Sequence, residues 1–198
     1  KELPTVGRPW DYFYIPIQLQ GEWGPYQETI CSVDPSGRGS DETTAAYLSQ
    51  RNGVLYLHEM RAYKDGYSDT TLLDILKGCR KYNVTTLLIE SNFGDGIVAE
   101  LFKKHIAQTK QPLNVEETRA NVRKEDRIID TLEPVLNQHR LVVDKSVIEW
   151  DYASNPDTAP EKRLEYMLFY QMSRMCREKG AVRHDDRIDA LAQGVQYF

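Results

Sequence analysis

NVTTLLIE, residues 83–90, is the most telling stretch of the chain. Val84 through Ile89 follow one another as apolar or β-branched residues without alternation, and the run ends on Glu90. A half-exposed strand alternates; a continuous run of this kind is a strand covered on both faces, as in a parallel pairing. Working backwards, residues 68–82 carry a stripe of Leu72, Leu73, Ile75, Leu76 and Cys79, with Ser68 or Asp69 as cap, and predict a helix. Before it, residues 28–33, 43–50 and 54–63 read as strands. Asn52-Gly53 joins the last two as a hairpin, so these three form an antiparallel meander.

Working forwards, SNFGDG turns into a helix over residues 97–108, and residues 112–117 read as a strand. Residues 124–137 form a helix with Ile128, Ile129, Leu132 and Leu136 on one side. A short strand at 140–143 precedes a polar loop at 153–160. A further helix begins at Pro160 and closes at Gly180, and the last helix runs from 185 to the end. Three antiparallel strands followed by alternating helices and strands predict an α/β sheet of mixed direction, flanked by helices. Residues 1–28, rich in Pro, Gly and aromatics, show no sustained period and read as an irregular arm or linker; residues 29–198 form the folded domain.

The composition, 40% hydrophobic and 28% charged with a net charge of −5, is that of a soluble globular protein. No apolar run approaches the ~18–20 residues needed to span a bilayer. Cys31, Cys79 and Cys176 are too scattered for a zinc knuckle and read as reduced thiols. The opening KELPTVGRPW lacks a methionine, which suggests a piece of something longer. Mild acidity argues against coating nucleic acid by bulk charge, but not against a local basic groove around an acidic, metal-filled centre.

Three segments carry chemistry. In ICSVDPSGRGSDET, Asp34 ends a hydrophobic strand and faces a Gly-rich loop; in LLIESNFGDG, Glu90 ends the buried strand in the same manner. In RHDDRIDALAQG, residues 183–194, Asp185, Asp186 and Asp189 crowd the start of the last helix. Carboxylates just beyond strand ends lie where α/β sheets place ligands. Asp34 and Glu90 sit side by side if their strands are neighbours, and the last helix can bring a third acid to them. Such a cluster is stable when protonated or filled with cations, and hard oxygen donors select Mg²⁺ or Mn²⁺. Two ions ~3.5–4 Å apart would activate water and steady a leaving oxygen. Taken singly, each acid has a plainer reading: a turn-former at Asp34, a helix cap at Asp185, an arginine partner at Asp189. A buried Glu90 is harder to dismiss, because ionised carboxylates are rarely buried unpaired.

VDPSGRGSDET, LLIESNFGDG, KEDRIIDTLEPVLNQHRLVV and HDDRIDALA, in this order, resemble the nuclease domain of tailed-phage terminase large subunits, the T7-like DNA maturase B group above all. The likeness covers residues 28–198. It implies an RNase H-like fold and metal-dependent cutting of concatemeric viral DNA, with Asp34 and Glu90 as ligands and an aspartate of the HDD stretch as the third. Helical spacing places Asp186 and Asp189 on one face, so Asp186 is favoured, Asp185 comes second and Asp189 supports. His184 is a candidate for holding a carboxylate or touching the leaving phosphate, against a structural or exposed histidine. The resemblance further implies double-stranded viral DNA as substrate and a packaging ATPase in the same full-length chain. Portal and small terminase subunit follow as partners, with work at the procapsid in the host cytoplasm.

Basic residues recur in TRANVRKEDR and in the late helices, and most are solvated helix surface. Lys124 and Arg127 are preferred for phosphate contact, with Arg38, Arg183 and Arg187 behind them. PSGRGS lacks the GxxxxGK[ST] pattern, so ATP binding is rejected here, and little sequence specificity is expected. A Holliday-junction resolvase or other RNase H-like nuclease shares fold and metal chemistry, and a portal-docking module is the non-enzyme alternative.

Overall fold

The computed structural model describes residues 4–8, 11–21, 23–36, 41–91, 96–119 and 121–198. A hairpin of β1 (Thr5–Arg8) and β2 (Asp11–Tyr14) comes first, then β3 (Ile17–Leu19). The meander follows as β4 (Glu28–Asp34), β5 (Thr43–Arg51) and β6 (Val54–Tyr63). Next come α1 (Asp69–Lys81), β7 (Thr86–Glu90), α2 (Ile97–Thr109), β8 (Asn114–Thr118), α3 (Lys124–Asn137) and β9 (Leu141–Asp144). The last part holds α4 (Lys145–Ala153), α5 (Pro160–Arg163), a 3₁₀ turn at Leu164–Tyr166, α6 (Leu168–Arg174) and α7 (Asp186–Tyr197).

One seven-stranded sheet, ordered β3-β9-β6-β5-β4-β7-β8, organises the chain. β4, β5 and β6 are antiparallel neighbours, while β7 pairs in parallel with β4 and β8 in parallel with β7. Every residue of β7 is buried, as an unbroken apolar run requires. One face packs Leu72, Ile75 and Leu76 of α1 and Phe102 of α2 against Val33, Tyr47 and Leu87. The other face packs α3, α6 and α7 against Ile30, Leu48, Leu57 and Leu88. The expected mixed α/β sheet flanked by helices is the observed fold. Among the described residues no helix is long and apolar enough to cross a membrane.

α7 lies close on the sheet because of Gly194: a Cβ there would come within 2.6 Å of Leu48 Cδ1 and 3.2 Å of Ser32 Cβ. Its residues Asp186–Val195 are all buried, Arg187, Asp189 and Gln193 included. Both of its sides are inside.

Two expectations of local structure need correction. Residues 1–28 are not an irregular arm throughout: β3 is an edge strand of the main sheet, parallel to β9, and Phe13 is in the core. Strands of three or four residues carry too little alternation to announce themselves. The helix expected from Pro160 to Gly180 is broken at the extended Met167 and ends at Arg174. It restarts because the Asp151 carboxylate accepts the backbone N–H of Leu168 (2.8 Å) and of Phe169 (3.2 Å). Residues 145–153, given no element from the sequence, form α4, where Asp144 accepts the Ser146 N–H at 2.8 Å as cap.

Candidate metal centre

Asp34 is the last residue of β4 and Glu90 the last of β7. The two strands pair in parallel with Val33 opposite Ile89, so the next residues emerge together at one edge of the sheet. Asp189, one turn into α7, comes to the same place. One carboxylate oxygen each from Asp34, Glu90 and Asp189 lie within 4.8 Å of one another. Glu90 is 7% exposed and Asp189 1%.

The first turn of α3 supplies the opposing charge. Lys124 Nζ is 2.9 Å from Asp185 Oδ1 and 2.9 Å from Asp189 Oδ2. Arg127 Nη2 is 2.7 Å from Asp189 Oδ1 and 3.6 Å from Glu90 Oε1. Burial pushes the Asp34 carboxyl well above its usual range, and Asp189, Glu90 and Asp186 add to the rise against the pull of Lys124. Burial disfavours the Lys124 ammonium, yet Asp189, Asp34 and Asp185 outweigh it and hold its pKa above the usual lysine value. Both Asp189 oxygens face these cations at ion-pair distance, but neither makes a hydrogen bond among the described residues. A cluster of hard oxygen donors, crowded, buried and short of directional bonds, fits a divalent cation of the Mg²⁺ or Mn²⁺ type.

A second group adjoins the first. Asp41, His184 and Asp186 also bring one ligand atom each within 4.8 Å of one another. His184 Nδ1 lies 3.3 Å from Asp41 Oδ1, and its ring stacks on Tyr166 at 4.1 Å between centroids. Asp186 Oδ2 accepts the backbone N–H of Glu42 at 3.1 Å, and its carbonyl accepts the Thr44 hydroxyl at 2.9 Å. Burial raises the Asp186 carboxyl to about 7; the Glu42 N–H and Lys124 oppose that, and Asp41 and Asp185 reinforce it.

Of the acids read from the sequence, the structure brings Asp34 and Glu90 together, and with them Asp189 rather than the favoured Asp186. The backbone of Glu42 holds Asp186 toward the β5 side. Asp185 stands at the N-cap position of α7 without a capping side-chain bond and turns to Lys124 instead. The basic residues divide differently from the expectation. Lys124 and Arg127 are built into the acid cluster, Arg183 is exposed beside Glu165 at 3.8 Å, and Arg38 falls outside the described residues. Arg187 must be corrected as a phosphate contact. It is fully buried, with Nε 2.9 Å from Glu42 Oε2 and Nη1 2.7 Å from Asp151 Oδ1. The sequence reading missed Asp41, Glu42 and Asp151. The acidic pair closing PSGRGSDE is the one local signal that marks two of them.

Fold and site together define a class: an RNase H-like α/β domain with carboxylates at the ends of its central parallel strand pair. A family model described as "Terminase Bacteriophage T7, Ribonuclease H-like domain" matches residues 33–141. The chain is 46% identical over 202 residues to the terminase large subunit of Enterobacteria phage T3, covering 100% of this chain and 34% of that protein. It thus spans about a third of the length of that curated relative. The large terminase of a thermophilic bacteriophage shares the fold at a TM-score of 0.59 and 15% identity, over 92% of this chain and 42% of that one. The human cytomegalovirus terminase nuclease domain, Mn soaked and inhibitor bound, does so at 0.57 and 13%, over 87% and 84%. The nuclease domain of the large terminase subunit gp2 of bacterial virus Sf6, in a mutant with manganese and beta-thujaplicinol, does so at 0.56 and 10%, over 87% and 90%. This chain belongs to the T7-type terminase ribonuclease H-like family.

Proposed function

We propose that the domain is a divalent-metal-dependent endodeoxyribonuclease that cuts concatemeric viral DNA during genome packaging, with little sequence specificity. The observation that carries this reading is the meeting of Asp34, Glu90 and Asp189 within 4.8 Å at the rim of one sheet. Asp34, Glu90 and Asp189 would hold Mg²⁺ or Mn²⁺, with Asp186 and Asp185 alongside. Two ions bound there would supply an activated water and a counter-charge for the leaving oxygen. The side chains have other tasks. Burial on rigid strand ends and a packed helix fixes the carboxylates before substrate arrives. Lys124 and Arg127, which neutralise the acids, stand where a phosphate approaching them would be met by positive charge. Arg183, which is exposed, and Arg38, by its place in the Gly-rich sequence, are further candidates for phosphate contact. Support comes from the related nuclease domains of Sf6 and cytomegalovirus described with manganese.

In the longer protein, the partners of this reading are double-stranded viral DNA, a packaging ATPase on the same chain, the portal and the small terminase subunit. The work is done at the procapsid in the host cytoplasm. Supercoiled plasmid incubated with the protein and Mn²⁺ tests the activity: nicking in Mn²⁺, none in EDTA, and a loss of at least about 100-fold in Asp34→Asn and Glu90→Gln. An Asp34→Asn rate equal to wild type would remove Asp34 from the centre. Cutting of a four-way junction with the plasmid left intact would replace the packaging reading with junction resolution.

A further inference from the structure

A cavity of about 620 Å³ lies between α3, α7 and the β7–β8 edge of the sheet. Glu90 and Arg127 form the wall it shares with the acid centre. The rest of the lining, among the described residues, is mixed: Leu88, Val122 and Tyr197 supply apolar surface, Asn121, Gln193 and Gln196 three uncharged carboxamides, and Arg119 and Asp130 one further charge of each sign. The volume is in the range of sites that enclose a small organic molecule, roughly 300–1,000 Å³.

Gln193 gives the chemistry direction. It is 5% exposed, and its Nε2 donates to Thr118 Oγ1 at 2.9 Å. The Thr118 hydroxyl donates in turn to the Ile89 carbonyl at 3.5 Å, and with that donation in place it is an acceptor toward the Gln193 amide. That leaves Gln193 Oε1, a buried acceptor with no donor among the described residues. Arg127 Nε, in the same cavity lining, is a buried donor with no acceptor among the described residues. Each such group is costly to leave unpartnered, so an occupant that satisfies both gains from doing so. A phosphodiester would be drawn by Arg119 and Arg127, but it offers acceptors alone and leaves Oε1 without a donor. A nucleobase edge offers donor and acceptor together, and carboxamides and arginines are its usual partners. Its flat faces suit the Leu88 and Tyr197 walls.

We propose that this cavity is a nucleobase pocket, which takes one base lifted from the stack beside the phosphate held at the acids. The base specificity follows from the cavity lining; the link to a scissile phosphate rests on the nuclease reading above. Lifting a base costs pairing and stacking, least at a mismatch or a frayed pair. The pocket therefore gives cutting a mild preference at one nucleotide and for easily opened sequence.

The test has an arm independent of cutting. In EDTA, the side-chain amide NMR signals of Asn121, Gln193 and Gln196 are followed while deoxynucleosides, 2-deoxyribose 5-phosphate or inorganic phosphate are added. Deoxynucleosides should shift at least the Gln193 signals with a dissociation constant on the order of 1 mM, and the two phosphates should not. Gln193→Leu removes the acceptor. Val122→Trp, at a rim position 64% exposed, blocks the mouth and guards against a misfolded Gln193 variant. Both should abolish the deoxynucleoside shifts, read in Val122→Trp from Gln193 itself and in Gln193→Leu from Asn121 and Gln196. No shift up to about 10 mM, or equal shifts with inorganic phosphate, overturns the proposal. In the cutting arm, Val122→Trp should nick intact plasmid about 10-fold more slowly than wild type. The two should match on a duplex abasic at the nucleotide beside the cut. Equal rates on intact plasmid overturn the link to cutting. A wild type that never nicks sinks the nuclease reading, while the NMR arm still decides whether the pocket binds bases.

Discussion

Two buried ionic groups share helix α7, one through Arg187 and the other through Asp189, and they are built differently. Around Arg187 each charge is met by directional bonds. Glu42 takes the guanidinium at 2.9 and 3.2 Å and the Asn155 amide at 2.7 Å. Asp151 takes Arg187 at 2.7 Å and caps α6, Ser154 accepts at 2.8 Å, and the Trp150 ring lies 4.7 Å from the guanidinium carbon. Around Asp189, by contrast, carboxylates from β4, β7 and α7 converge against Lys124 and Arg127, and the Asp189 oxygens make no hydrogen bond among the described residues. Both groups are charged and both are buried, so burial of charge does not separate framework from function. Unspent hydrogen-bonding capacity does.

Removing Arg187 tests this contrast most strongly. Arg187→Met leaves Glu42 and Asp151 enclosed without a cation, and should cost about 3–5 kcal/mol in urea unfolding. A cost below about 1 kcal/mol would mean the network is looser than its bonds suggest. Asp34→Asn should act in the opposite sense. Burial and its acidic neighbours already push the Asp34 carboxyl well up, so the neutral amide relieves the metal-free fold and should raise its melting temperature. The same substitution should lower Mn²⁺-dependent nicking by at least about 100-fold, equivalent to about 2.7 kcal/mol of barrier. One residue thus trades stability against activity, where Arg187 carries stability.

The sequence shows one of these groups much better than the other, for a physical reason. Asp34 and Glu90 end strands whose apolar runs are local signals, and their adjacency needs only that β4 and β7 pair. The helix cap at Ser68 and the bounds of α3 at 124–137 are local in the same way. The choice among Asp185, Asp186 and Asp189 is not local. It depends on how deeply α7 sinks onto the sheet, which Gly194 allows, and on the Glu42 N–H that captures Asp186. Helical spacing puts Asp186 and Asp189 on one face but cannot say which of them meets strand ends far away in sequence. Arg187 misled for a related cause: on a helix buried all round, a basic residue reads as surface until its partners on the β4–β5 connection and α4 are known.

pH provides a finer probe of the acidic group. In the unfolded chain an aspartate titrates near 3.9, whereas in the fold burial brings Asp186 to about 7. Between these values the folded state holds more protons than the unfolded one, so without metal stability should fall as pH rises from about 4 to about 7. The slope from this one group is at most about 1.4 kcal/mol per pH unit, and Asp34 acts in the same direction. Thermal melts in EDTA across that window check it; a melting temperature rising through pH 5–7 would contradict the crowding inferred here. At pH 7.5, Mn²⁺ at about ten times its dissociation constant should add about 1.4 kcal/mol, and the gain should vanish in Asp34→Asn.

The smallest effect is expected four residues before Arg187. The Arg183 side chain is 68% exposed, and its ion pair with Glu165, at 3.8 Å, is of a kind worth at most about 1 kcal/mol. Arg183→Ala should therefore leave urea unfolding within about 0.5 kcal/mol of wild type, in contrast to Arg187→Met. If Arg183 lies on the DNA face, its loss should weaken duplex binding at every sequence alike. It should also reduce the dependence of log K on log salt by about 1, as one phosphate contact requires. Fluorescence anisotropy over a salt series reads both quantities together. An unchanged slope would place the DNA path away from this end of α7, toward Lys124 and the cavity beside it, and leave Arg183 as ordinary solvated surface.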